Sequence, residues 1–339
     1  MTNNRWKIKP KGSTWGDWGA DDQLGRLNLI GPSKVKQAIA EVQFGKSFCL
    51  SLPLNYPGGR VLNTVRQPPK LMPVIRNEAA YFNYIWAEHD DRLTDIGSDD
   101  VVLLHTQYST QWDGLAHRGA LFDIEGNGER EPVYYNGYKA NIDVVLDSEK
   151  NNSSARSLGI ENMATHCVQG RGVLVDLFSV YGDFPRKEVG YDDFMRILDD
   201  QKVEIQKGDI LCIWTGLDQL IMSMEGKPDI SIQKACAVMD GWDSKLLQWI
   251  SDTGVSAIVA DNLAVEGVGK NIPHDYLGSS LPLHEHCLFK LGVHLGELWF
   301  LADLAKWLNE NGRFSFLLTA PPLRLPGAVG SPVTPIATV

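Results

Sequence analysis

Between His105 and His117 the chain reads His-Thr-Gln-Tyr-Ser-Thr-Gln-Trp-Asp-Gly-Leu-Ala-His, a crowding of imidazole, carboxylate, amide and hydroxyl groups suited to proton transfer or metal binding. Farther along, His284 and Glu297 add a second imidazole and a second carboxylate. Together with Asp113 and His117 they could surround a divalent ion. His284 and His286 stand two apart near an expected helix start, where they face different ways, so at most one of them ligates. Glu297 lies among Leu295, Leu298 and Trp299, where a carboxylate needs a cation or hydrogen-bond donors; a salt bridge to Arg171 or Arg324 is the plainer alternative. Nucleophilic catalysis ranks lower, because Ser109 and Thr110 lack a G-x-S-x-G elbow and Cys167 has no supporting context. Glu266-Gly-Val-Gly-Lys270 fits neither common phosphate-binding glycine spacing, so no nucleotide cofactor is implied.

The elements that position these groups follow from the pattern around them. Val101-Val-Leu-Leu104 is apolar enough for a buried strand, and Gly114 breaks the extended pattern after Asp113. A strand running that far places His105, Gln107, Ser109, Gln111 and Asp113 on one face, which must line solvent or a site. His105 would then lie roughly 26 Å from Asp113 at about 3.3 Å per residue, a bystander to its chemistry. Ahead of the motif, an ordered arm (about 1–30) contains Trp15 and Trp18, which together with Trp112 could stack on a planar substrate or simply be core. A helix capped by Ser33 is expected over 34–43, a strand over Ser47–Leu54, and loops from Pro57 to Pro73 and Tyr81 to Ile96 that reach over a pocket. Beyond the motif, Ser148–Ser157 reads as an exposed connection. Strands are expected at Arg171–Leu177, Ile210–Trp214, Gly254–Ala260, Gly292–Leu298 and from Phe314. Helices are expected at Tyr191–Asp200, Asp243–Ser251, Leu283–Phe289 and Leu301–Asn309, and a Pro/Gly-rich tail occupies about 320–339. This alternation implies an α/β or α+β fold in a single unit spanning 1–339, with Asp261-Asn262 delivered at a strand end where such folds place functional groups.

Of 339 residues, 43% are hydrophobic and 22% charged, ordinary for a globular chain with a sizeable core. The net charge of -10, with no local Lys/Arg cluster, argues against a nucleic-acid partner and leaves small molecules as the expected ligands. Five scattered cysteines without CxxC spacing read as reduced thiols. With no leader-like start and no eighteen-residue apolar run, a soluble cytoplasmic protein without membrane association is expected, and the sequons at Asn151 and Asn152 then have no glycosylation meaning.

Several of these stretches, in order, give the chain a family likeness. Trp18-Gly-Ala-Asp-Asp-Gln-Leu-Gly25, the motif segment, Arg171-Gly-Val-Leu-Val-Asp176, Lys207-Gly-Asp209 with Trp214-Thr-Gly216, Asp261-Asn262, Leu283-His284 through Gly296-Glu297, and Gly330-Ser-Pro332 resemble the longer members of the cyclase family of metal-dependent hydrolases, relatives of bacterial kynurenine formamidase and isatin hydrolase. The family signature is H-x-G-T-H-x-D-x-P-x-H. Thr110, Asp113 and His117 match it; Gln107 and Gln111 stand where two metal-binding histidines belong, Ser109 replaces glycine and Leu115 replaces proline. Amide oxygens suit Mg, Ca or Mn better than Zn, and losing two imidazoles favours one ion over two.

The resemblance implies a swivelling β/β/α-type α/β domain with a β-barrel-like core surrounded by helices, assembled as homodimers or homotetramers. It implies at most one divalent ion (Mn, Zn or Mg), held by Asp113, His284 and Glu297, with His117 as general acid/base; to these the reading of the residues adds Gln111 as a further ligand and Gln107, Trp112, Trp18 and Trp15 toward substrate. The function expected is hydrolysis of a C–N or C–O bond in a small cyclic or aryl amide, imide or lactone. Two alternatives stand beside it: a metal-free lyase, isomerase or cyclase, in which Asp113 and His117 pair and Gln107 and Gln111 donate to a substrate carbonyl, and a non-catalytic small-molecule binder.

Overall fold

One nine-stranded sheet organises the chain in this computed structural model, which describes residues 5–147, 149, 152–269 and 272–339. Asn151 of the first sequon and Lys270 of the glycine-containing run lie outside the described residues. The strands are Ser47–Cys49 (β1), Gln111–Asp113 (β2), Gln169–Asp176 (β3), Ile210–Trp214 (β4), Ala257–Ala260 (β5), His294–Glu297 (β6), Ser315–Thr319 (β7), Gly330–Pro332 (β8) and Ile336–Thr338 (β9). Their order is β1-β9-β7-β3-β4-β5-β6-β2-β8. The continuous apolar runs become the parallel centre, β3 to β6, buried on both faces as covered parallel strands must be. β2 joins β6 antiparallel, and the sheet curls into a half-barrel with helices around it. This is the expected mixed α/β architecture with a barrel-like core.

The helices include Pro32–Ala40, Tyr191–Gln201, Leu217–Ser223, Ser244–Thr253 and Ala302–Glu310, and the turn Pro282–His284 continues as a π-helix over Glu285–Leu291. Amphipathic spacing explains the helix from Tyr191: Phe194 and Ile197 are buried while Asp192, Asp193 and Asp200 face outward. The first helix begins one turn of logic earlier than expected. Gly31 is its cap and Pro32 its first residue, because proline lacks the N–H that this position leaves unsatisfied, so Ser33 falls inside. The arm is anchored by Gly25, which adopts φ +60° where any Cβ would strike the Gly292 backbone, and by Arg26, whose N–H donates to Gly292 O at 2.8 Å.

Three other expectations change. The apolar run before the motif is a strand, Asp100–Leu103, but it is exposed along its length and ends before His105; it pairs with Lys70–Arg76 in a small sheet completed by Ala79–Tyr81. The segment expected to loop over a pocket is therefore a projecting β-arm, with Leu71, Ile75 and Leu103 exposed. The chain turns at His105, whose carbonyl accepts from Tyr108 N, so the continuous strand face does not exist. The tail is not peripheral either: β8 and β9 enter the main sheet, and Ser331, Ala337 and Val339 are fully buried. Within the expected connection 148–157, Asn152–Ala155 pairs with Val144–Asp147. The five cysteines are unpaired, and no described helix is long and apolar enough to cross a membrane.

Candidate metal centre and active site

The pairing of β2 with β6 sets the site. Gln111 lies opposite Glu297 and Asp113 opposite Leu295, so the polar side chains of both strands share one face, while Trp112 and Gly296 share the other. Thr110 holds the strand ends together, accepting from Leu52 N at 2.9 Å and donating to Leu298 O at 2.5 Å. His284 arrives from the short helix on the same side. Its Nδ1 meets Glu266 Oε1 at 2.8 Å and its Nε2 lies 3.2 Å from Glu297 Oε1 and 3.8 Å from Asp113 Oδ2. One ligand atom each from Asp113, His284 and Glu297 lies within 4.8 Å of the others, and all three residues are buried.

The two glutamines take part in this cluster. Gln111 Nε2 donates to Glu297 Oε2 at 2.8 Å and lies 3.5 Å from Asp113 Oδ1, whereas Gln107 Nε2 donates to Asp113 Oδ1 and approaches His117 Nδ1 at 3.0 Å. The Gln107 N–H on Nδ1 assigns the proton of the neutral His117 ring to Nε2, which sits 3.5 Å from Asp113 Oδ2. His117 keeps 22% of its side chain exposed beside an Asp113 that is 1% exposed, so solvent and ligands meet the cluster through this imidazole.

Three carboxylates, Asp113, Glu266 and Glu297, surround one buried imidazole. Burial pushes the Asp113 carboxyl upward and the Glu297 charge adds to that, with His117 and His284 opposing. Burial alone would lower His284, but hydrogen bonds to Glu266 and Glu297 outweigh it and raise its pKa to about 9. Burial likewise works against the Glu297 anion, and His284 overcomes it. The cluster thus gathers three carboxyl groups around one imidazole. Asp113 Oδ2 and Gln111 Oε1 are also buried without hydrogen-bond partners. Unshared lone pairs in a set of oxygen donors plus one imidazole fit a divalent cation.

Comparison with known proteins places the chain in a family. The family model described as "Putative cyclase" matches residues 50–267, well over half of the chain. The chain belongs to the cyclase family. A crystal structure of a novel cyclase shares 32% identity, with a TM-score of 0.75 over 96% of this chain and 99% of that one. Isatin hydrolase A from Labrenzia aggregata, bound to benzyl benzoate, has the same fold at 10% identity and a TM-score of 0.54, over 86% of this chain and 93% of that one. An isatin hydrolase bound to the product analogue thioisatinate matches at 12% identity and a TM-score of 0.54, over 90% of this chain and 95% of that one. No curated protein matches the chain.

In this cyclase-family chain Asp113, His117, His284, Glu297, Gln111 and Gln107 come together, while the tryptophans expected at the substrate do not. Trp112 is fully buried on the far face, donates to Ala320 O at 2.8 Å and packs edge-on against Trp299 at 5.0 Å. Trp15 is core as well, 1% exposed and donating to Phe289 O. Trp18 lines a separate cavity with Lys11, Arg26 and His286, none of which belongs to the metal cluster. Strand alternation and arm docking, invisible in residue type, explain all three. The glutamine amides are also not open to a substrate carbonyl, because their N–H groups are directed at Asp113, His117 and Glu297.

Other candidates resolve into structure. Arg171 pairs with Glu41 and Asp209, leaving Glu297 to His284 and Gln111. His286 turns away to Ser251 Oγ at 2.9 Å, His105 is exposed outside the site, and Asp261 accepts from Thr215 N and Oγ1 at 2.8 Å.

The residue that sequence reasoning missed is Glu266. It accepts from Leu283 N and His284 N as well as His284 Nδ1, so it both caps the short helix and directs His284 Nε2 toward Asp113 and Glu297. An acid following Ala264 and Val265 is the signal that could have found it. Ala264, Val265 and, after Glu297, Leu298 have φ of +77°, +56° and +55°, so backbone strain of about 1–3 kcal/mol per residue flanks the acids that hold His284.

Proposed function

We propose that this cyclase-family protein is a hydrolase that opens a C–N or C–O bond in a small cyclic or aryl amide, imide or lactone. The observation that supports it is the buried Asp113–His284–Glu297 cluster, with two unpartnered acceptor oxygens and a partly exposed His117 at its edge. A divalent ion, when bound, supplies a Lewis acid and an activated water at neutral pH. Asp113, Glu297 and His284 would hold it, with Gln111 Oε1 as a further donor, a mostly oxygen set that favours Mn or Mg over Zn.

His117 is the group that moves the proton. To take one at Nε2 the ring must carry its other proton on Nδ1, which requires the Gln107 amide to turn its oxygen there, a half-turn of the terminal torsion that also gives up the Gln107 Nε2 donation to Asp113 Oδ1. The ring is then protonated on both nitrogens and Nε2 returns the proton to the departing nitrogen or oxygen. Gln107 is thus a positioning residue that selects between two tautomers.

Protein purified without chelator should contain about one divalent ion per chain by elemental analysis, and a screen of lactones and cyclic amides should reveal ring opening. His117→Ala should then lower turnover by about 10²–10⁴-fold while metal content holds. Full activity in that variant removes His117 from the mechanism; turnover without metal returns the reaction to the lyase or cyclase class. We also propose self-association through the β-arm, supported by exposed Leu71, Ile75 and Val102, of which Leu71 and Val102 are a cross-strand pair.

A further inference from the structure

Beyond the metal centre lies a cavity of about 220 Å³ with Arg186, Gln233 and Asn262 among apolar walls that include Leu217, Ile232 and Leu263. Two of its polar groups lack partners. Arg186 Nε is buried without a hydrogen-bond acceptor, and among the described residues no carboxylate lies within ion-pair distance of the guanidinium. Asn262 is 3% exposed; its Nδ2 donates to Ala237 O at 3.1 Å, which fixes the amide so that Oδ1 is an acceptor, and that Oδ1 is buried and unpartnered.

Neither residue is there by accident of a loose loop. Arg186 N donates to Lys234 O at 3.0 Å, and the adjoining Glu188–Val189 strand pairs with Val238–Met239 across the cavity wall. Asn262 lies two residues past the end of β5, and its carbonyl accepts from Leu298 N at 3.1 Å, one residue beyond Glu297 of the candidate metal cluster. The buried Arg186 Nε–H without an acceptor and the buried Asn262 Oδ1 without a donor each carry a desolvation cost that a matching ligand would relieve. Burial lowers the Arg186 pKa, with Glu188 opposing, in keeping with a guanidinium short of counter-charge.

We propose that this cavity is a binding site for a small organic carboxylate that also carries a hydroxyl or N–H donor on an apolar frame. The carboxylate accepts from the Arg186 guanidinium, the donor group meets Asn262 Oδ1, and the frame packs on Leu217, Ile232 and Leu263. The volume lies below the roughly 300–1,000 Å³ of drug-sized sites, which sets the frame at about one ring.

The test is calorimetric binding of 3-hydroxybenzoate to the full chain, with 3-hydroxybenzamide and benzoate as controls. Wild-type protein should bind 3-hydroxybenzoate saturably, the uncharged amide about tenfold or more weakly, and benzoate a few-fold more weakly. Arg186→Gln should weaken 3-hydroxybenzoate by about tenfold or more with an unchanged melting temperature, and Arg186→Lys should recover part of the loss. His117→Ala should bind it as wild type does, which keeps this result separate from the fate of the hydrolase reading. In a ring-opening assay, competitive inhibition would mark the cavity as an extension of the substrate site and non-competitive inhibition a separate ligand site; either pattern upholds the pocket. No saturable binding to wild type, or equal binding to Arg186→Gln, overturns it.

Discussion

Two neighbouring strands behave in opposite ways. Asp100–Leu103, written Asp-Val-Val-Leu, is exposed throughout, whereas Gln111–Asp113, written Gln-Trp-Asp, is buried at every residue. Hydrophobicity alone assigns them the other way round. The polar strand is inside because it pairs on both edges, with β6 and β8, and because its side chains find partners in Glu297, His117 and each other. The apolar strand is outside because, among the described residues, its only strand partner is Lys70–Arg76, itself part of an exposed arm. Burial follows the company a strand keeps, and here the company was chosen by sheet order.

That contrast can be broken most forcefully by deleting side chains on each side of it. Trp112→Ala should cost about 3–5 kcal/mol in urea unfolding, since it empties a fully buried site against Trp299, while Leu71→Ala in the arm should stay within about 0.5 kcal/mol of wild type. Comparable losses at the two positions would mean that the arm is packed like the body.

Acid sharpens the same contrast. The body holds His286 half-buried and His294 fully buried, and desolvation depresses their pKa values to about 4 and about 3, whereas His89 and His105 of the arm region are exposed. The unfolded chain therefore binds protons that the folded body refuses. The stability this contributes is complete above about pH 6.5 and is lost as pH falls from there toward 4 and then 3, at about 3 kcal/mol for His286 alone. Raised buried carboxyls such as Asp113 act with the opposite sign, so the check is the difference between chains: His286→Gln should flatten part of the slope, and an unchanged pH dependence in that variant would contradict it.

A smaller effect probes how the body presents its ligands. Glu266→Gln should weaken metal affinity by about 10–100-fold in chelator competition, with circular dichroism unchanged, because it loosens His284 without touching the other donors. Unaltered affinity would reduce Glu266 to a helix cap. Smallest of all for the monomer, Leu71→Asp should leave unfolding free energy within about 0.5 kcal/mol yet shift sedimentation toward a single chain. An unchanged sedimentation profile would take the arm out of self-association.

Much of the core could be read directly. Ile210–Trp214 is a strand with the bounds its apolar run suggested, and the helix from Tyr191 follows its spacing, because continuous apolar stretches and helical periodicity are local signals. The site was only partly legible. Asp113, His284 and Glu297 stood out as acids and imidazoles in ordered context, yet the strand face imagined for His105 through Asp113 failed at a turn that no glycine or proline announces.

What the sequence determined by itself, then, was the inventory: which strands would be buried in the parallel centre, which titratable groups were available, and that two amides replace imidazoles at Gln107 and Gln111. Only the tertiary structure decided how the inventory is used. It turned Trp112 away from the site, brought Glu266 under His284 across 18 residues, and left Arg186 Nε and Asn262 Oδ1 unpartnered around one cavity. The physical reason is that hydrogen-bond pairing and burial are properties of groups meeting in space, and for residues far apart in the chain that meeting is set by sheet order and register rather than by neighbours in sequence.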